Sequence, residues 1–221
     1  MQDFLNGLDF IAHGGFMMIP LLISALIGLS VIFERLHMFK RRFTTDRDLL
    51  REIFTSVQKH DLSRAHKMCD SSNTPITAVL GVGIEHFNNP LNEMELAMKN
   101  RAEEWVPRLE KRIDIIDTVI TAAPLMGLLG TIVGMMESFR VLSTKGVNEP
   151  NAITGGVAEA LVATATGIVI ALICLVAYNY LTTKVKHFIY EMESMASRLV
   201  EMRHSAHRTR SENGVRDEAQ A

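Results

Sequence analysis

Two threonines are well placed for chemistry, because each lies in a long stretch without charged side chains. Thr131 lies in 118–136 and Thr164 in 160–183, and neither stretch contains Asp, Glu, Lys, Arg or His. A hydroxyl can donate and accept hydrogen bonds, so the two threonines could line one polar path. Alternatively, each hydroxyl bonds to a carbonyl of its own helix, as is common for Thr. Spacing alone does not decide between these alternatives.

Glu159 stands immediately before the uncharged stretch 160–183. A carboxylate at this depth in an apolar segment is costly unless it is paired, hydrated or functional. The alternative is that Glu159 lies near the start of a helix, where the helix dipole favours a negative charge by about 0.3–1 kcal/mol.

The remaining residues give no indication of an enzyme active site or of a metal site. No nucleophile with a nearby base and no phosphate-binding loop is evident, so no catalytic residue and no cofactor is predicted. Cys69 falls in a polar helix and Cys174 in an apolar one, which favours neither a disulfide nor a metal pair. Three histidines, His60, His66 and His86, could join Cys69 around a metal. No pair among them has a recognised zinc spacing, so solvated helix faces are the preferred interpretation and no metal is predicted.

Three uncharged stretches must position these residues. They cover 14–33, 118–136 and 160–183, the last within a predicted span over 157–183, and each is long enough to cross the roughly 30 Å hydrocarbon core of a bilayer as a helix. The first lacks the basic start and small-residue cleavage site of a signal peptide, so it is predicted to stay as an anchor. The sequence therefore predicts an all-α membrane protein with three spans.

The polar parts of the chain are also predicted to be helical. Residues 34–117 carry 14 Lys/Arg and 14 Asp/Glu in amphipathic pieces, separated by turn signals at 73–75 and 88–90. Asp61 is a plausible N-cap within this segment. Residues 1–13 contain no Lys or Arg and space their apolar side chains as in a short helix lying on a membrane surface.

Small side chains recur at alternating spacings of three and four on the second and third spans. Such stripes are typical of surfaces where helices pack closely in a membrane, or where a narrow path is lined. Gly130 and Gly134 also form a Gly-x-x-x-Gly motif. The predicted helix-packing residues are Gly127, Gly130, Gly134, Gly167 and Ala171.

Beyond the third span, the stripe continues to Met202 with large apolar residues. This seam predicts one continuous helix of about 65 Å from Ala160 to Met202, including an extension over 184–203. Self-association into a bundle is the preferred interpretation. The alternative is packing of the extension against residues 34–112 of the same chain. Residues 204–221 are polar and are predicted to be a disordered tail. The seam comprises Leu181, Val185, Phe188, Met192, Met195, Leu199 and Met202.

The distribution of basic residues predicts the orientation. Residues 1–33 contain no Lys or Arg and 137–156 contain two, whereas 34–112 contain 14 and the part after Thr183 contains seven. Positive residues are retained on the cytoplasmic side. The N-terminus and the connector 137–156 are therefore predicted to lie outside, with 34–117 and the C-terminus in the cytoplasm.

Two motifs carry a family resemblance. The sequence APLMGLLGT at 123–131, followed by Gly134 and Met135, resembles one signature helix of the ExbB/TolQ/MotA proton-channel family. The sequence AEALVATATG at 158–167, followed by Tyr178 and Asn179, resembles the other. With three spans, the resemblance covers nearly the whole chain and favours the ExbB/TolQ branch over the four-span flagellar stators. Many relatives have proline where this chain has Ile173, which affects the expected local helix geometry.

The resemblance implies a pentameric ring enclosing the membrane helices of two copies of an ExbD- or TolR-like single-span partner. In the family, an aspartate of the partner carries the proton, and threonines matching Thr131 and Thr164 line the path. Glu159 and Asn179 match further positions linked to function.

The implied role is that of a bacterial inner-membrane subunit of an ExbB–ExbD-type motor. Such a motor converts proton-motive force into work on a periplasmic partner such as TonB, for transport through the outer membrane. One alternative is a TolQ-like subunit of the Tol-Pal envelope system. The other is a non-conducting membrane scaffold in which the threonines and Glu159 only pack.

Overall fold

The computed structural model describes residues 16–42, 47–72, 74–145 and 150–218, with side chains for 16–39, 47–72, 74–144 and 154–205. This part of the chain is helical and contains no strand, which confirms the all-α prediction. The predicted surface helix at 1–13 lies outside the described residues. The helices are α1 (Met18–Arg42), α2 (Arg47–Gln58), α3 (Leu62–Ser71), α4 (Pro75–Glu85), α5 (Leu91–Glu110), α6 (Ile113–Lys145) and α7 (Pro150–Glu218).

Three helical stretches are long and apolar enough to cross a membrane, as the sequence predicts. They fall within Met18–Phe39, Leu91–Thr144 and Thr154–Ser205. The helices extend well beyond the uncharged stretches, and most of the predicted connector 137–156 is helical. Pro150 opens α7, a position that suits proline because the first helical N–H needs no partner within the helix.

The chain divides into two compact units. The first contains the described residues of Met1–Leu36 and Arg112–Thr182, which comprise most of α1, all of α6 and the first part of α7. Its interior is built largely from small or medium apolar side chains, while many large ones remain exposed along all three helices, as expected of a unit that faces lipid or other membrane helices. An ion pair between Glu34 and Arg112 joins α1 to the start of α6.

The second unit contains the described residues of His37–Lys111 and Thr183–Ala221. Local sequence signals explain where its helices begin. The Asp61 carboxylate accepts a hydrogen bond from the Arg64 N–H at 3.0 Å, so the predicted N-cap is confirmed. Thr74 and Thr77 form a capping box at the start of α4, with Pro75 at the first helical position. Consecutive helices from α2 to α5 pack against each other.

The extension of α7 packs against helices of its own chain within the second unit. Val185, Met192 and Leu199 are 3%, 1% and 0% exposed. The Arg198 guanidinium carbon lies 4.4 Å from the centroid of the Phe54 ring. This part of the seam therefore packs within its own chain, as the alternative interpretation predicts, and α2 and α4 are among the helices that contact it.

The sequence predicts disorder from residue 204 onward, whereas α7 continues to Glu218 in the structure. A helix that is already formed adds further residues at little cost in nucleation, so a polar continuation can remain helical.

Candidate functional site

The first unit brings α6 and α7 into very close contact through their glycines. A β-carbon added at Gly127 would lie 2.9 Å from the Thr164 Cα, and one at Gly134 would lie 2.9 Å from the Ala160 Cβ. At Gly167, the same atom would lie 2.5 Å from the Ala123 carbonyl oxygen. Only glycine permits such an approach of one backbone to another.

Gly130 and Ala171 complete the set of small residues named from the sequence. A β-carbon at Gly130 would lie 2.8 Å from the Ala163 Cβ, so this glycine also faces α7. Ala171 is 8% exposed within the first unit. The contacts of the four glycines are thus made within one chain.

Thr164 reaches across this contact. Its hydroxyl donates a 2.9 Å hydrogen bond to the Gly127 carbonyl oxygen on α6. Neither sequence-level alternative described this bond, which joins two helices. The nearby Thr166 behaves differently, because its hydroxyl donates to the Val162 carbonyl of its own helix at 2.8 Å.

Thr131 lies one helical turn after Gly127 on α6 and is half-buried. Its hydroxyl donates to the Leu128 carbonyl of its own helix at 2.7 Å. In an α-helix, the Thr131 N–H points to the Gly127 carbonyl, which is the acceptor that Thr164 also uses. The two threonines therefore converge on one segment of α6.

Both hydroxyl protons are engaged by carbonyl oxygens, which leaves acceptor capacity on each hydroxyl oxygen. A hydroxyl has two lone pairs, so each threonine can still accept a hydrogen bond from water or from a protonated carboxyl group. The pair can therefore orient a proton donor without carrying a charge.

Glu159 lies in the third turn of α7, nine residues after Pro150. It is partly exposed and forms no ion pair or side-chain hydrogen bond with the described part of the chain. The helix dipole acts mainly within the first turn. The interpretation of Glu159 as a residue near the helix start is therefore wrong.

Asn179 lies on an exposed side of α7, fifteen residues after Thr164. At 1.5 Å per residue, the two positions are about 22 Å apart along the helix. Asn179 therefore does not join the two threonines at Gly127.

The side chains described here contain no group of three or more His, Cys, Asp or Glu residues that could hold a metal ion. His66 Nδ1 lies 3.1 Å from the Asp70 carboxylate, one turn along α3. His86 Nδ1 lies 3.0 Å from the Val82 carbonyl oxygen. Burial raises the pKa of the Cys69 thiol to about 12, and the neighbouring Asp70 charge acts in the same direction.

Comparison with known proteins identifies the family. The model of the MotA/TolQ/ExbB proton channel family matches residues 71–194, more than half of the chain. The chain belongs to this family. As a member of the MotA/TolQ/ExbB family with three apolar helices, it is a multi-pass membrane protein of the ExbB/TolQ type, and both features support an inner-membrane location.

Three relatives illustrate the range of this family match. A putative biopolymer transport protein ExbB-like 3 of Synechocystis is 29% identical over 168 residues, covering 75% of this chain and 80% of the relative. The biopolymer transport protein ExbB of Aquifex aeolicus is 35% identical over 116 residues, covering 52% and 78%. The Tol-Pal system protein TolQ of Haemophilus influenzae is 29% identical over 203 residues, covering 82% and 86%.

Proposed function

We propose that this chain is the channel subunit of an inner-membrane motor that converts proton-motive force into mechanical work. The observation that carries the proposal is the hydrogen bond from Thr164 to the Gly127 carbonyl, one turn from Thr131. Hydroxyls held by carbonyls present acceptors at a fixed position, which suits the guidance of a proton donor through an apolar region. The proposed path residues are Thr131, Thr164, Glu159 and Asn179.

The proton carrier itself is proposed to belong to a partner. Glu159 is the only Asp or Glu between Glu149 and Glu191. An ExbD- or TolR-like single-span protein with a membrane carboxylate would supply a group that protonates beside the threonines. Glu159 would then act as a hydrated carboxylate near one end of the path.

A ring of several copies, with five expected, is proposed to surround the partner helices. Exposed apolar side chains on α6 and α7 support this, because lipid and neighbouring helices are the surfaces that can cover them. Examples are Leu128 and Ile132 on α6 and Val169 and Leu172 on α7, all more than 40% exposed.

The proposed target of the work is a TonB-like protein that spans the periplasm. A TolQ-like envelope role is the second candidate, because the TolQ relative covers 82% of this chain. Purification of the tagged chain from its own membranes tests the proposal. We expect a single-span protein with one acidic residue in its span to co-purify, and uncoupler to abolish the function of the complex. If no such protein co-purified and uncoupler had no effect on function, the non-conducting scaffold would be favoured.

The proposed orientation leads to a labelling prediction. Cysteines introduced by Gln2→Cys and Asn148→Cys should react with an impermeant thiol reagent in cells with a permeabilised outer membrane. A cysteine introduced by Lys59→Cys should react only after the inner membrane is opened, because positive residues are retained in the cytoplasm. Mass spectrometry of the labelled chain measures each reaction.

The native cysteines provide a silent background for this experiment. Cys69 and Cys174 are 3% and 2% exposed, and thiols react as thiolates. The raised pKa of Cys69 further suppresses its reaction at neutral pH. Lack of labelling at Cys69 would therefore say nothing about orientation, whereas Lys59 is exposed. If position 59 reacted before the inner membrane was opened and positions 2 and 148 did not, the proposed orientation would be contradicted.

A further inference from the structure

A groove lies between α5 and α7 in the second unit, away from the threonines. Its cavity has a volume of about 560 Å³. We refer to it as the α5–α7 groove. It is lined by Val79 on α4, by Glu95, Met98, Lys99, Ala102, Glu103 and Val106 on α5, and by Ile189, Met192, Glu193, Ala196, Ser197, Val200, Glu201 and His204 on α7.

The floor of the groove is apolar and its middle is lined by small side chains. Met98 and Met192 are 3% and 1% exposed and form part of the floor. Ala102 and Ala196 lie on opposite walls and leave room between α5 and α7. The wall from Ile189 to His204 is about 22 Å long at 1.5 Å per residue, which matches about four turns of a docked helix.

The rim of the groove is negatively charged. The lining includes four glutamates but only one lysine and one histidine. Lys99 lies 3.9 Å from Glu103 in an exposed ion pair. The other three glutamates have no ion-pair partner among the described side chains. An apolar floor with an uncompensated acidic rim is complementary to an apolar surface flanked by Lys or Arg. The three rim glutamates without an ion-pair partner among the described side chains are Glu95, Glu193 and Glu201.

Helices α2 to α4 of the second unit do not offer such a surface. The apolar faces of α2, α3 and α4 are already buried in the second unit. Residues 1–15 contain no Lys or Arg, so they do not complement the rim. Residues beyond Ser205 continue α7 along its own axis.

We propose that the α5–α7 groove binds a basic amphipathic helix of a second protein. Recognition would follow the helix-in-groove mode, with apolar anchors at positions i, i+3 or i+4, and i+7. These anchors would contact Met98, Met192 and the two alanine walls. Lysines or arginines beside the anchors would pair with Glu95, Glu193 and Glu201. Substitutions in the α5–α7 groove lie outside the third span, 157–183, and do not alter Thr131 or Thr164.

A model peptide tests the proposal directly. The probe is a fluorescent helix of about five turns, with leucines on one face and lysines on the other, and the control peptide carries glutamates instead of lysines. Full-length chain is held in phosphatidylcholine nanodiscs, and binding to empty nanodiscs is subtracted. We expect the lysine peptide to bind and the glutamate peptide not to bind, as judged by fluorescence anisotropy. Added salt should weaken binding.

Variants assign the binding to the groove. Glu193→Lys and Ser197→Lys reverse or oppose the rim charge, and Ala196→Trp fills the space between the walls. Each variant should weaken binding of the lysine peptide at least ~10-fold. Glu110→Lys makes the same charge change as Glu193→Lys but lies outside the groove on α5, so it should not weaken binding. A variant that unfolds at the same temperature as wild type has kept an intact second unit, so the unfolding temperature of each variant is measured as a control.

Two outcomes would overturn the proposal. The first is lysine-peptide binding that is the same in the groove variants as in wild type, or no specific binding at all. The second concerns a second copy of this chain. If Ser197→Cys cross-linked copies of the chain to near completion in native membranes, the groove would be covered by the chain itself.

Discussion

Thr164→Val and Thr131→Val should each reduce proton-driven function at least ~10-fold, equivalent to about 1.4 kcal/mol in an activation barrier, while the complex still assembles. Valine has a similar volume but cannot hydrogen-bond, so each change removes an acceptor from the proposed path. Each proton that crosses 100 mV releases about 2.3 kcal/mol, so a blocked path removes the energy source without unfolding the protein. Energy-dependent function and co-purification with the partner are measured in parallel.

The structure provides a matched control in Thr166→Val. Thr166 lies on the same helix, but its hydroxyl bonds only to its own helix at Val162. We expect this variant to keep wild-type function. Loss of the bond from Thr164 to Gly127 should lower stability by only about 0.6 kcal/mol, typical of hydrogen bonds between membrane helices. Equal function in all three valine variants would exclude Thr131 and Thr164 from the path.

Glu159→Gln extends the same comparison to the carboxylate. Glutamine keeps the size of Glu159 and can still form hydrogen bonds, but it removes the charge and the site that binds a proton, so we expect an intermediate loss of function. Because Glu159 has no ion-pair partner among the described residues, stability should change little. A fully active Glu159→Gln variant would assign no proton-handling role to this residue.

Gly134→Leu should strongly destabilise the membrane unit. A β-carbon at this position would lie 2.9 Å from both the Ala160 Cβ and the Gly156 carbonyl oxygen. Overpacking costs typically 1–3 kcal/mol, and a clash with backbone is hard to relieve by side-chain movement. We expect a lower unfolding temperature for the detergent-solubilised chain, and loss of the protein from membranes at higher growth temperature.

Gly155→Leu is the corresponding control. A β-carbon at Gly155 meets no atom within 4 Å, and leucine is a better helix former than glycine by about 1 kcal/mol. This variant should be as stable as wild type or slightly more stable. If Gly134→Leu and Gly155→Leu unfolded at the same temperature, close packing of α6 on α7 at Gly134 would contribute little.

The spans and the helical class were predictable because bilayer thickness sets the length of an uncharged helix. Helix ends were harder to place. The third span was predicted to begin at residue 157, but the helix starts at Pro150 and passes through Gly155 and Gly156. A glycine pair weakens a helix without ending it, so Glu159 lies in the third turn rather than near the first.

The cross-helix bond of Thr164 was not predictable, because the register of α7 against α6 is set by packing and not by the pattern of either helix. The seam through Met192 and Leu199 was ambiguous for a related reason. An apolar stripe has the same spacing whether it packs within one chain or between copies. In this protein, helices of the same chain cover it within the second unit, α2 and α4 among them.

Proton flux through the purified complex tests the central claim most directly. The chain and its co-purified single-span partner are placed in liposomes containing a pH-sensitive dye, and a potassium diffusion potential is imposed. We expect acidification above that of empty liposomes, a loss of at least ~10-fold in Thr164→Val, and no loss in Thr166→Val. Flux equal to that of empty liposomes, or equal in Thr164→Val and wild type, would contradict the proposed proton path.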